Sequence, residues 1–454
     1  MKKISTILIG FFFLFPELYA QVIGWQNLDL VKDSVFGIST EKAYGLLQRK
    51  QSNHVLIAVI DGGVDTAHED LKGIVWNNLN AKGDKEYPND LHGWNFIGGK
   101  KGDVQYDNLE ATRLFREQKA FYDSLADDIV PGKYRPAYQS YRRAINDYYG
   151  QLQNAEEQIA AIGPDTLKYI DIYRYFKKQL DYQLNIDYDP RSIVGDDYEN
   201  LKEHYYGNND VTGPDATHGT HVAGIIAAVR NNGIGINGIA DNVSIVCIRA
   251  IPDGDERDKD VASAIRYAVD HGAKIINMSF GKHYSPNKNV VDNAIKYAIS
   301  KDVLIIHAAG NDSWDLDDYN KHMIENFPNR RYADINGQAE AWIEVGASTE
   351  KGQSARFSNY GKTSVDVFAP GVNIYSTIPA NHYEFLDGTS MAAPVVTGIA
   401  ALIREYYPKL TALQVKEIIM KSVVKTDALK KSCVSGGIVN AYEALKLAAT
   451  YKTP

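Results

Sequence analysis

The chain has 454 residues, in which 49 Lys+Arg and 57 Asp+Glu give a formal net charge of −8. No basic block interrupts that mild acidity, so nucleic-acid binding has no electrostatic footing. The composition, 44% hydrophobic and 23% charged, is that of a folded globular chain, and two cysteines, Cys247 and Cys433, exclude a disulfide framework.

Taken in chain order, residues 1–20 read as an export signal peptide. Lys2 and Lys3 precede an apolar run from Ile4 to Phe15, and Ala20 supplies a small residue at the cut. The run is too short to span a bilayer, and no later run approaches the ~18 apolar residues that a span needs. An exported chain, periplasmic or extracellular and without a transmembrane segment, is therefore expected. Residues 21–54 are expected to form an N-terminal arm packed on the main domain, not a large removable pro-segment.

Four short apolar runs have the pattern of parallel strands buried on both faces: 55–60 (VLIAVI), 244–250 (SIVCIRA), 274–278 (KIINM) and 303–308 (VLIIHA). Helical patterns alternate with them at 219–229, 260–270, 288–300 and 391–406. The alternation predicts an α/β fold: a doubly wound, mostly parallel sheet with helices on both faces and its site at the carboxyl ends of the strands. Cys247, inside the second run, is expected to be a buried, inert thiol.

Between 98 and 206 the alternation stops. Helical patterns broken by Pro131-Gly132 and Gly163-Pro164 dominate, and fifteen of the 30 tyrosines fall between Tyr106 and Tyr206. Ile145, Tyr148, Leu152, Ile159 and Ile162 form one apolar stripe; Leu167, Ile170, Phe176, Leu180 and Leu184 form another. Each stripe needs a partner, so an inserted α-helical subdomain is expected over 98–206, interrupting a main domain of 55–97 and 207–454. The tyrosines serve either helix–helix packing or a ligand- or partner-binding surface.

Several polar residues stand where the apolar pattern does not need them. Asp61 ends the first run, just before Gly62-Gly63. His218 opens a helix in DATHGTHVAGIIAA, where Gly219 and Gly224 permit close backbone approach. Ser390 follows a Gly-Thr turn in DGTSMAAPVVTGIAALI, at the first turn of an apolar helix. Pro394 is expected to be tolerated there because N–H groups of a first turn lack intrahelical partners. A serine hydroxyl is a weak nucleophile until a base takes its proton; a histidine is such a base, and a carboxylate fixes its tautomer. Asn311, after the fourth run and a Gly turn, offers an amide to a tetrahedral oxyanion beside the backbone N–H of Ser390.

The segments VIDGGVD, HGTHVAG, AAGND and GTSMAAP, in the order Asp, His, Ser, resemble the signatures of the subtilisin-like serine peptidases, the subtilase family. The resemblance covers roughly 21–97 and 207–450. It implies a serine endopeptidase with Ser390 as nucleophile, His218 as general base, Asp61 as its orienter and Asn311 as oxyanion donor. It also implies that Ser279, Phe280 and Gly281 of NMSFG pair with the peptide backbone by strand addition. Ala308, Ala309 and Gly310 would wall the pocket for the residue before the scissile bond and leave room for a bulky apolar group. Against that, Asp312, Asp315, Asp317 and Asp318 in the next loop either solvate it or favour a basic residue or a cation.

No cofactor is required for this chemistry. DTAHEDLK and NNGIGING resemble the family's calcium-binding stretches, which would make Asp70 and Asn232 ligands together with the carbonyls of Ile234 and Ile236. A Gly-rich turn without metal is the equal alternative. Asp61 and His218 stand 157 residues apart, far more than compact relatives need, and the surplus is the insertion. It either restricts access to peptides and flexible segments, binds a partner or a surface, or adds stability only. The expected partners are peptide or protein substrates. A binding protein on the same scaffold and an esterase with the same triad are the competing readings; the peptide-pairing segment favours peptides.

Overall fold

The computed structural model describes residues 22–124, 135–163, 166–318 and 325–451; the export signal read in 1–20 lies outside them. The strands that position the site are β1 (Val55–Asp61), β2 (Gly93–Asn95), β3 (Val243–Arg249), β4 (Ile275–Met278), β5 (Leu304–Ala308), β6 (Trp342–Ser348), β7 (Val367–Pro370), β8 (Ile374–Ile378), β9 (His382–Leu386), β10 (Val424–Lys425) and β11 (Gly437–Ile438). Strands β8 and β9 make an antiparallel hairpin. The other nine form one sheet in the order β10-β11-β7-β6-β5-β4-β1-β3-β2, parallel except for its outermost pair, β10 and β11. From β1 the chain runs outward to β3 and then returns past β1 to β4. This reversal opens a crevice at the carboxyl ends of the central strands.

Side-chain alternation splits the core in two. Ile57, Val59, Ile245, Leu304 and Ile306 face the helices Thr217–Ala227 and Thr389–Tyr406, through Val222, Ile226, Val395 and Ile399. Ala58, Ile60, Val246, Ile248 and Ile305 face the helices Asp258–Asp270 and Lys288–Ser300, through Val261, Ile265, Val291 and Ile295. A period of two with both faces covered is what parallel strands between helix layers require. Cys247 is fully buried in the first layer, and burial pushes its thiol up to about 12, so it is inert. Trp25, Ile38, Ala43 and Leu47 of the N-terminal segment lie in the same layer.

Strand β6 was not visible as an apolar run because Glu344 interrupts it. Glu344 is nonetheless buried, accepting from Trp342 Nε1 (2.8 Å) and facing His307 Nδ1 (2.9 Å).

The insertion contains the helices Glu110–Asp123, Arg135–Ile162 and Ile170–Lys178. Ala111, Leu114 and Phe115 of the first pack on Ala144, Tyr148 and Ala155 of the second, with Leu184 and Tyr284 completing the cluster. Tyr148 stacks on Phe115 at 4.5 Å between centroids. Leu167 departs from its expected stripe: the third helix starts only at Ile170, and Leu167 is 90% exposed before it. Among the described residues, no helix is long and apolar enough to cross a membrane.

Candidate active site

Asp61 is the last residue of β1, so its carboxylate projects from the carboxyl edge of the sheet, buried to 3% exposure. Gly62 N donates to Asp61 Oδ1 (2.7 Å), and Arg249 Nε holds the Gly62 carbonyl (2.7 Å). His218 is the second residue of its helix, and its Nδ1 lies 2.9 Å from both Asp61 oxygens. Such closeness demands glycine next in the chain: a Cβ on Gly219 would sit 2.2 Å from the Gly63 carbonyl and 3.0 Å from Asp61 Cβ. A carboxylate only accepts, so Nδ1 carries the proton and Nε2 keeps its lone pair facing the cleft. Burial works to lower the His218 pKa, but the charge and hydrogen bond of Asp61, helped by Asp215, outweigh it and hold the value above the ordinary 6.5.

Ser390 is the second residue of the helix Thr389–Tyr406, so its N–H has no intrahelical acceptor. The turn before it passes through Gly388 at φ +152, a conformation that side chains resist. Ser390 Oγ donates to the Ser279 carbonyl at 2.9 Å, and Ser279 Oγ donates to the Ser390 carbonyl at 2.9 Å. Among the described residues, no hydrogen bond joins Ser390 Oγ to His218. The expectation for Pro394 needs correction, since Pro394 lies beyond the first turn. Its missing N–H leaves the Ser390 carbonyl four residues earlier without a helical donor, and Ser279 Oγ takes that place.

Asn311 Oδ1 accepts from Thr389 N (3.0 Å) and Thr389 Oγ1 (2.9 Å), which fixes the flip of the amide and leaves Nδ2 available to donate. Asp61, His218, Ser390 and Asn311 thus stand on the ends of β1, two helices and the loop after β5. A cleft of about 410 Å³ opens beside them, lined by Asp61, His218, Arg249, Ile251, Phe280 and Leu386 among others.

The remaining expected site residues fall in different places. Ser279 is buried, Phe280 half-buried, and Gly281 exposed just beyond β4. Ala308 and Gly310 stand at the end of β5, whereas Ala309 packs among Val365, Phe368 and Leu429 and gives its side chain to the core, not to a pocket wall. The loop carboxylates are engaged locally. Asp317 accepts from Thr363 N and Oγ1 (both 2.8 Å), and Asp312 from Asn359 Nδ2 (3.1 Å), with His283 Nε2 3.7 Å away.

Asp70, Asn232, Ile234 and Ile236 do converge, held together by hydrogen bonds. The Asp70 carboxylate is fully buried and already accepts from Asn232 Nδ2 (2.7 Å), Ile236 N (3.0 Å) and Tyr383 Oη (3.4 Å). Asn232 Oδ1 is turned back onto Ile234 N (3.1 Å). The carboxylate is thus met by hydrogen-bond donors, whereas calcium takes oxygens; a cation here would have to displace those donors and draw on Asn232 Oδ1 and the Ile234 and Ile236 carbonyls. Elsewhere among the described residues, Asp84, Asp90 and His271 bring ligand-type atoms within 4.8 Å of one another. There Asp90 already accepts from Asn78 Nδ2 and Tyr267 Oη (both 2.7 Å), with His271 Nε2 at 3.2 Å.

Sequence reasoning missed Thr389, Asn277 and Thr397. Thr397 Oγ1 donates to Asn277 Oδ1 (2.8 Å) and Asn277 Nδ2 to Ser279 Oγ (2.9 Å), so a buried polar chain runs from the Ser390 helix back to its own carbonyl. The signal was present: a polar residue inside KIINM, and another inside VVTGIAA, with no apolar reason to be there.

A mostly parallel sheet with Asp at the end of a strand and with His and Ser at the starts of two helices packed on it, in that chain order, defines the subtilisin-like class of proteins. The model of the subtilase family matches residues 52–439, and the chain belongs to that family. It is 41% identical over 205 residues to the thermophilic serine proteinase of Bacillus sp. strain AK1, covering 45% of this chain and 46% of that one. It is 28% identical over 456 residues to the cell wall-associated protease of Bacillus subtilis, covering 95% of this chain and 47% of that one. The chain thus spans about half the length of these relatives. Among solved structures, a protease from Pseudoalteromonas arctica shares the fold, with a TM-score of 0.56, 22% identity, and coverage of 94% of this chain and 98% of that one.

Proposed function

We propose that the chain is a serine endopeptidase acting on peptides or flexible protein segments, with Ser390 as nucleophile. The observation that carries this is the 2.9 Å placement of His218 Nδ1 against both oxygens of buried Asp61. It fixes the tautomer that leaves Nε2 as a base. Rotation of Ser390 about its side-chain bond exchanges the Ser279 carbonyl for His218 Nε2. As Ser390 Oγ attacks the substrate carbonyl, its proton passes to Nε2, and Asp61 stabilises the imidazolium. The oxyanion is received by Asn311 Nδ2 and Ser390 N, the latter at a helix N-terminus. The imidazolium then protonates the leaving amine, and water repeats the steps in reverse to free the acyl group.

The main domain, 55–97 with 207–454, carries this site, and 98–206 is the insertion. Substrate backbone pairs along Ser279–Gly281, and Ala308 and Gly310 flank the side chain before the scissile bond. Export through the N-terminal signal supplies a periplasmic or extracellular setting. The base and both oxyanion donors are protein groups, so the steps above are complete without a cofactor.

The test uses the chain and its Ser390→Ala variant on a mixed peptide library, on fluorescent casein and with a fluorophosphonate. Cleavage and labelling by the unmodified chain alone are expected. A folded chain that neither labels nor cleaves would return the scaffold to the binding-protein reading.

A further inference from the structure

We infer that the first turn of the leading insertion helix, Glu110–Asp123, is a clamp that sets the width of the peptide cleft, with Glu110 as its positioning residue. The inference rests on the peptidase reading above. One wall of the cleft is formed by Ile251, Pro252 and Asp253, the facing wall by Ser279 and Phe280.

Behind the first wall, Arg113 donates through both terminal nitrogens to the Asp255 carbonyl (3.1 Å each) and through one to Glu256 O (3.4 Å). Glu110 N donates to Asp255 Oδ2 at 2.7 Å. Behind the second wall, Glu110 Oε2 accepts from Lys282 Nζ at 2.7 Å, two residues beyond Phe280. Glu110 and Arg113 are joined to each other at 2.6 Å. The path from one wall to the other therefore runs through two side chains a single helical turn apart. A second grip comes from farther along the insertion, where Lys178 Nζ (2.7 Å) and Gln183 Nε2 (2.9 Å) hold the Asp253 carboxylate in the wall itself.

Burial makes this arrangement stiff. Glu110, Arg113 and Lys282 are exposed to 3%, 1% and 3%. Charges this deep stay in place only while fully paired. Burial opposes ionisation of Glu110, but Arg113 and Lys282 outweigh it and hold the carboxyl at about 2. Lys282 also meets Asp258 Oδ1 at 2.8 Å, at the start of the helix that follows the first wall. An appendage that only shielded the surface would not need its root wired into the backs of both walls. Among the described residues, no hydrogen bond or ion pair joins the side chains of Glu110, Arg113 or Lys282 to the Ser390 helix or the His218 helix, so the clamp acts on how an extended peptide is held and not on the reacting groups.

The test is Glu110→Gln in the full chain, which keeps the shape and drops the charge. Fluorophosphonate labelling of Ser390 is expected to stay within about twofold of the unmodified chain, because it needs the triad and not the extended cleft. KM for a hexapeptide is expected to rise between about 10- and 100-fold with kcat nearly unchanged. Affinity of the same hexapeptide for the Ser390→Ala chain should fall by the same factor when Glu110→Gln is added. Should Glu110→Gln fail to fold, the pair Glu110→Met with Lys282→Met removes both charges together and is expected to show the same split. Labelling and peptide KM worsening together, or neither changing, would overturn the clamp. An unmodified chain that neither labels nor cleaves overturns the peptidase reading, and the clamp with it.

Discussion

Ser279 and Ser390 exchange hydrogen bonds, each hydroxyl donating to the other's carbonyl at 2.9 Å. The pairing couples the segment after β4 to the Ser390 helix, and its cause is Pro394, which cannot donate to Ser390 O. Ser279→Ala is expected to leave that half-buried carbonyl without a donor and cost about 1 kcal/mol of stability. Pro394→Ala restores a helical N–H to the same oxygen, so the double variant should recover much of the loss. Urea unfolding of the four chains measures the coupling. Strictly additive effects would show that Pro394 and Ser279 do not share the carbonyl.

Asn311 owes its orientation to Thr389, whose N–H and hydroxyl both address Oδ1. Asn311→Ala should lower kcat by about 10²–10³ with little change in KM, as expected for a donor that meets the oxyanion only in the transition state. Thr389→Val keeps the backbone donor and loses the hydroxyl, so a smaller loss, about tenfold, is expected, again in kcat. A KM effect in either variant would move Asn311 from transition-state binding to ground-state binding.

The pH dependence of activity follows from the same geometry. In the proposed mechanism the base is neutral imidazole, and Asp61 holds the His218 pKa above 6.5 against the opposing effect of burial. Activity on peptides should therefore rise with pH through a midpoint above the ordinary histidine value. Stability has the opposite sign. Folding favours the protonated form, so this contribution is full below the unfolded value near 6.5 and is lost as pH climbs past the raised folded value. Asp61→Asn removes the raising partner; kcat should fall by about 10⁴, and the midpoint of what remains should move down. An unmoved midpoint would mean that another group sets the acid limb.

How much of this was legible in the sequence depended on what each residue has to satisfy. The strands through 55–61, 243–249, 275–278 and 304–308 were readable because two covered faces force near-continuous apolar runs. Asp61, His218, Asn311 and Ser390 were readable because each stands at the end of such a run or at a helix start, where polarity needs a reason. Strand β6 was hidden because Glu344 is satisfied by Trp342 of its own strand and by His307 of the neighbouring one, which composition does not reveal. The roots of the insertion were hidden for the same reason. Glu110 and Lys282 lie 172 residues apart in the chain and meet only after folding. Leu167 looked like part of a helical face, yet a periodic stripe does not say where the helix begins.

The Asp70 loop separates two ways of holding the same backbone. An oxygen cage around a cation would lose stability on chelation, whereas a carboxylate already accepting from Asn232 Nδ2, Ile236 N and Tyr383 Oη has no need of one. Thermal unfolding is therefore expected at the same temperature with and without a chelator such as EDTA, and added calcium should not raise it. Asp70→Ala, by contrast, leaves buried donors unpaired and should cost about 2–4 kcal/mol whether or not calcium is present, because hydrogen bonds to a charged group carry more than neutral ones. Tyr383→Phe removes one of the three donors and should cost about 1 kcal/mol. A chelator-dependent drop in the unfolding temperature that Asp70→Ala abolishes would show that the carboxylate binds a cation and that its donors give way to it.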